Sequence, residues 1–117
     1  MVLDTPILNK TYDLYKLLCR YRSRIPKSDR YTLWVECEST VLSILRTTIN
    51  TTHLKGERRI ESLYSISNHV DLLKVLIRLA KDNQAIDLGQ YDEIQRQLQE
   101  IGRMVGGWIK YVPAKGS

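Results

Sequence analysis

The sequence predicts an all-α protein, an antiparallel up-down-up-down bundle of four helices. Three observations carry that expectation. Apolar residues recur at steps of three and four along four separate stretches, which places them on one face of a helix at about 100° per residue. No stretch shows the strict alternation of a half-buried strand. The breaks between stretches are short and fall at Pro26, at Lys55-Gly56 and around Asp82-Asn83. Helices of about 20 to 25 residues are about 30 to 38 Å long at 1.5 Å per residue, and short connections make neighbours antiparallel. A chain of 117 residues, 43% hydrophobic, is long enough for one self-sufficient core. One domain is expected over residues 1–112, followed by a disordered tail, Pro-Ala-Lys-Gly-Ser, over 113–117.

Thr5-Pro6 opens helix one, with Pro in the first turn, where its missing N–H costs nothing. The helix is expected to run to about Arg24. Ile7, Leu14, Leu17, Leu18, Tyr21 and Ile25 form its apolar stripe. Pro26 breaks it. Helix two is expected from about Asp29 to Thr52, with Trp34, Cys37, Val41, Ile44 and Thr48 in one row and Leu42, Leu45 and Ile49 in the next. Thr47, Thr48, Thr51 and Thr52 are weak helix formers, so fraying is expected after Asn50. Gly56 suits a left-handed turn before helix three. That helix, from about Glu57 to Lys81, carries the near-heptad seam Ile60, Leu63, Ile66, Val70, Leu73, Ile77, Ala80.

Asp87-Leu88-Gly89-Gln90 has the form of a capping box opening helix four. Leu88, Tyr91, Ile94, Leu98, Ile101, Val105, Trp108 and Val112 give this last helix the strongest seam in the chain, with Arg96, Arg103 and Lys110 opposite. A mid-helix Gly costs about 1 kcal/mol against Ala, so Gly102, Gly106 and Gly107 call for a reason. Close approach of another helix is expected there, within the chain or between copies of it.

The net charge of +5 is unevenly placed. Lys16, Arg20, Arg22, Arg24, Lys27 and Arg30 stand against the single acid Asp29 between positions 16 and 30, and the rest of the chain balances twelve bases with twelve acids. A local excess of this kind attracts polyanions. Arg predominates in it, and its planar fork pairs with phosphate through two N–H groups. Tyr12 and Tyr15 adjoin it and could stack on unpaired bases. The competing reading is a solvated helix face.

Catalytic and metal chemistry find little purchase. His53 and His69 are the only histidines and form no Glu-x-x-His pair. Cys19 and Cys37 read as buried free thiols, with no clustered ligand spacing around them. No cofactor, metal or catalytic residue is expected. The chain has no apolar run near the roughly 20 residues that span a bilayer, and its first residues lack the pattern of a secretory signal. A cytoplasmic location and no membrane partner are expected.

Three stretches carry a family resemblance. The run EIGRMVGGWIK from Glu100 to Lys110, the run Pro26-Lys27-Ser28-Asp29-Arg30-Tyr31-Thr32-Leu33, and the Leu-rich segment from Asp71 to Ala80 with its Arg-Leu-Ala ending resemble a family of small four-helix bundles. It includes the accessory variability proteins of diversity-generating retroelements and the proteins encoded in intervening sequences of large-subunit rRNA genes. The likeness covers nearly the whole chain and departs at Trp34, where many relatives carry Gly.

The resemblance implies a homopentameric ring. It also implies a non-enzymatic partner of a reverse transcriptase that binds the polymerase and its template RNA, with DNA as a second candidate, and supports mutagenic cDNA synthesis. The residues expected to meet nucleic acid are Lys16, Arg20, Arg22, Arg24, Lys27 and Arg30. Those expected to serve assembly are Gly102, Gly106 and Trp108. An rRNA intervening-sequence protein with general RNA association, or a purely structural oligomer, are the alternatives.

Overall fold

The computed structural model describes residues 5–111; Val112 and the expected tail lie outside the described residues. Those residues form four long helices and one short one: α1 (Pro6–Arg22), α2 (Lys27–Arg30), α3 (Leu33–Thr51), α4 (Gly56–Asp82) and α5 (Leu88–Tyr111). No strand occurs among them. The long helices pack in a closed circuit, α1 on α3, α3 on α4, α4 on α5 and α5 back on α1, within a shape of 48 × 22 × 20 Å.

The core is built from most of the seams read from periodicity; Ile60, Leu42 and Leu45 are only half-buried and Ile49 is exposed. Leu14, Leu17 and Leu18 of α1 meet Trp34, Cys37, Val41 and Ile44 of α3. From α4 come Leu63, Ile66, Val70, Leu73, Ile77 and Ala80, and from α5 Ile94, Leu98, Ile101 and Val105. Ile25, in the turn after α1, is also buried. Burying each such side chain stabilises the fold by about 1.5–3 kcal/mol before conformational entropy is charged against it. Leu88 does not join them. It stands 64% exposed.

The expected second helix is interrupted. Pro26 is followed by the single turn of α2, and Thr32, at φ −122° and ψ −88°, breaks the backbone before α3 begins at Leu33. The break brings Trp34 into the core with no exposed surface, and its indole Nε1 donates to the Leu18 carbonyl at 3.0 Å. A tryptophan so deeply placed needs this acceptor, since an unpaired buried N–H is costly.

At the other end, α3 closes at Thr51, just past Asn50, the expected start of fraying, with Thr52 as its cap. The Thr51 hydroxyl donates to the Thr47 carbonyl at 2.7 Å and also bonds the Ser62 hydroxyl of α4, so tertiary contact holds the last turn despite weak propensity. Gly56 takes the left-handed backbone the turn requires, at φ 62°. The capping box forms as read: the Gln90 amide donates to Asp87 Oδ1 at 2.7 Å, and the Asp87 amide to Gln90 Oε1 at 2.9 Å.

Candidate nucleic-acid interface

The six cations between positions 16 and 30 divide into two groups. Lys16 and Arg20 lie one turn apart on α1, with Tyr12 a turn earlier in the same row. All three are exposed, and Lys16 Nζ stands 5.6 Å from the Tyr12 ring centroid. Arg24, in the turn after α1, and Lys27, opening α2, continue the row in sequence and are exposed as well. None of these four cations forms an ion pair among the described residues. Asp13, exposed one turn before Lys16, is the nearest acid on the helix itself.

Arg22 and Arg30 are engaged within the chain, Arg22 in an ion pair and Arg30 in hydrogen bonds to backbone carbonyls. Arg22 Nε meets Glu38 Oε2 of α3 at 2.7 Å, and a second guanidinium nitrogen lies 3.2 Å from Cys19 Sγ. The Glu38 carboxylate raises the already high pKa of Arg22. Arg30 donates through Nε to the Ile25 carbonyl at 3.0 Å and through a terminal nitrogen to the Ser23 carbonyl at 3.1 Å. It ties off the carbonyls left open where α1 ends, a structural use of a guanidinium. Sequence reasoning could not assign these partners, because Glu38 and Arg22 are sixteen positions apart and meet only when α3 folds back.

The two tyrosines also differ. Tyr12 is 58% exposed, whereas Tyr15 packs against the core and its hydroxyl pKa is raised by a hydrogen bond with Cys19 and by burial. Only Tyr12 is free to stack. Tyr21 is drawn the other way, its hydroxyl donating to Glu93 Oε2 of α5 at 3.1 Å. Burial, with that bond, raises its pKa. Lys10 and Glu100 form a second tie between α1 and α5 at 2.9 Å. Acids from α3 and α5 thus border the basic row without pairing with its four exposed cations.

Gly102, Gly106 and Gly107 do not mark a close helix approach among the described residues. A Cβ on Gly106 or Gly107 would meet nothing within 4 Å, and one on Gly102 would make only ordinary contact, 3.8 Å from Lys74 Nζ. Trp108 is half-buried on the core, with the Arg59 guanidinium 5.2 Å from its ring centroid. Cys37 is fully buried, and burial pushes its thiol up to about 12, so it is no nucleophile at neutral pH. Cys19 is half-buried. Among the described residues, no group of three or more His, Cys, Asp or Glu side chains is placed to hold a metal ion. No described helix is long and apolar enough to cross a membrane.

A family model described as bAvd-like matches residues 6–112, and so covers the basic row, the broken second helix and the glycine-bearing fifth. The chain belongs to the bAvd-like family. No curated protein matches it. Membership in this family agrees with the resemblance to accessory variability proteins carried by the motifs at Pro26–Leu33, Asp71–Ala80 and Glu100–Lys110. The bAvd-like match also spans Trp34, whose indole is held by a buried hydrogen bond to α1.

Proposed function

We propose that this protein is a non-enzymatic accessory factor of a diversity-generating retroelement, binding a reverse transcriptase and its template RNA to support mutagenic cDNA synthesis. Membership in the bAvd-like family carries the reading. The row of Lys16, Arg20, Arg24 and Lys27 supports it by supplying phosphate ligands that no internal acid neutralises. The polymerase performs the chemistry, and the bundle supplies a charged, preformed surface.

The same reading takes the bundle as antiparallel and assembled into a homopentameric ring. Lys81 beside the Tyr91 ring, Gln95 bonded to the Lys74 carbonyl and Arg59 over Trp108 support opposite directions for α4 and α5, since positions fall along one helix as they rise along the other. Self-association is supported by the outer face of α4, where Leu72, Val75 and Leu79 are exposed at helical spacing opposite the buried seam. Apolar rows of this kind mark association surfaces. Gly106 and Gly107, with open space where a side chain would be, offer a second face on which a neighbouring copy can come close. A ring repeats one modest basic row around its circumference and multiplies affinity through avidity.

The test is a pull-down of the tagged protein from its native host at near-physiological salt, identifying bound protein and sequencing bound RNA. A reverse transcriptase recovered with one structured RNA is the expected result. Recovery of rRNA fragments alone would overturn the retroelement reading in favour of an rRNA intervening-sequence protein. A version carrying Arg20→Glu and Arg24→Glu separates binding from mere structure: it is expected to fold and to lose the RNA.

A further inference from the structure

A groove of about 380 Å³ runs between α4 and α5, away from the basic row of α1. Ser67, Asp71 and Lys74 line it from α4, and Gln99, Gly102 and Arg103 from α5, with buried Val70 between them. Gly102 adds no side chain to it. A Cβ there would stand 3.8 Å from Lys74 Nζ and 3.9 Å from Val70 Cγ1, so any longer side chain would enter the space the ammonium borders. Gln95 Nε2 donates to the Lys74 carbonyl at 3.1 Å, which fixes the α4 backbone against α5 at this level.

Three charged groups therefore share one groove, yet among the described residues neither Lys74, Arg103 nor Asp71 forms an ion pair. Two cations, one of them a guanidinium fork, suit the oxygens of a phosphate. An ionised carboxylate only accepts, so Asp71 calls for a donor. Ser67 and Gln99 can do either. A ligand carrying a phosphate and a neighbouring hydroxyl satisfies all three charges, and about 300–1,000 Å³ is the usual size of a small-molecule cleft.

We propose that the α4–α5 groove binds a ribose phosphate unit, with Lys74 and Arg103 on the phosphate and Asp71 accepting from a ribose hydroxyl. With the 2′-hydroxyl, the donor that a deoxyribose lacks, on Asp71 and the 3′-hydroxyl that both sugars carry turned away, this site prefers ribonucleotides, whether free or within an RNA strand. It goes beyond the reading of the α1 row and uses none of its residues; it shares with that reading only the class of ligand.

The experiment is a nuclear magnetic resonance titration of the full chain with a ribonucleoside 5′-monophosphate, its 2′-deoxy counterpart and inorganic phosphate. Expected are shift changes concentrated at residues 67–74 and 99–103, with the ribonucleotide binding severalfold more tightly than the other two. Lys74→Gln and Arg103→Gln are each expected to weaken binding about tenfold, the scale of one charge-assisted hydrogen bond. Gly102→Leu should abolish it, whereas Gly102→Ala should not. Asp71→Ala should remove the preference for ribose. Shifts confined to residues 16–30, equal affinity for ribose and deoxyribose, or full binding by the Lys74→Gln, Arg103→Gln double variant would each overturn the proposal.

A protein carrying Arg20→Glu and Arg24→Glu is expected to keep nucleotide binding, so failure of the groove and failure of the α1 row are read separately. Displacement of the nucleotide by a short single-stranded RNA places the groove on the path of the strand. Retention of the nucleotide assigns it to the free ligand, and the ribose phosphate chemistry stands in both cases.

Discussion

Cys37 shows how burial alone disposes of a reactive side chain. Its pKa rises from 9.0 to about 12 because the thiolate would lie in the apolar row of α3, with Glu38 and Glu36 adding to the cost. A thiol-reactive maleimide is expected to label half-buried Cys19 on the folded protein and Cys37 only after unfolding. The same shift sets an alkaline limit. The unfolded chain loses the Cys37 proton above pH 9 while the folded chain keeps it, so stability present below pH 9 falls as pH rises toward 12, by about 1.4 kcal/mol per unit. Tyr15 and Tyr21, both raised, act in the same direction above their ordinary value of 10.0. Urea melts from pH 7 to 11 check this, with Cys37→Ala flattening the decline.

Trp34 and Arg30 are the other residues whose roles are decided locally. Trp34→Phe removes the donor to the Leu18 carbonyl and is expected to cost about 1–3 kcal/mol. Trp34→Ala, leaving a cavity among α1 and α3, should cost about 3–5 kcal/mol. Arg30→Ala unties the Ile25 and Ser23 carbonyls and should lower stability by about 1–3 kcal/mol. Its effect on RNA affinity should be small beside that of Arg20→Glu. Thermal melts and a filter-binding series on the same variants separate the two roles.

At the scale of elements, α5 is the most informative. Ile94, Leu98, Ile101 and Val105 form its buried seam, and its start is closed by the Asp87–Gln90 capping box. Gly106 and Gly107 weaken it without serving any contact among the described residues. Gly106→Ala and Gly107→Ala are each expected to stabilise an isolated subunit by about 1 kcal/mol, because nothing stands where the new methyl group would go. If these positions instead face a neighbouring copy, the same substitutions raise the melting temperature at low protein concentration and weaken assembly. Sedimentation velocity alongside thermal melts tells the outcomes apart.

The α1 row and the outer face of α4 matter at the scale of the whole molecule. Four exposed cations without ion-pair partners predict a salt dependence of single-stranded RNA binding near −3 in log K against log salt per subunit engaged, taking about 0.7 per phosphate neutralised. Binding measured between 50 and 300 mM salt checks it, and Arg20→Glu with Arg24→Glu should flatten the slope. Val75→Lys introduces a charge into the exposed row of α4, where Val75 is 62% exposed. If the proposed assembly uses this face, the substitution should leave helicity unchanged and reduce the assembled mass to that of a monomer.

Much of this protein is legible in its sequence. The α4 seam from Leu63 to Ala80 and the α5 seam from Ile94 to Val105 follow from helical periodicity, and the capping box and the left-handed Gly56 from local chemistry. These depend on residues a few positions apart, which a sequence displays directly. The motifs also suffice to place the chain among the bAvd-like proteins. What tertiary structure alone decided was partnership. It set Arg22 on Glu38, turned Arg30 back onto the end of α1, left Gly106 facing open space and brought Lys74 and Arg103 to one groove. The reason is physical: periodicity says which face of a helix is apolar, but which charges meet depends on how one helix is set against the next, and side chains from distant positions fix that together.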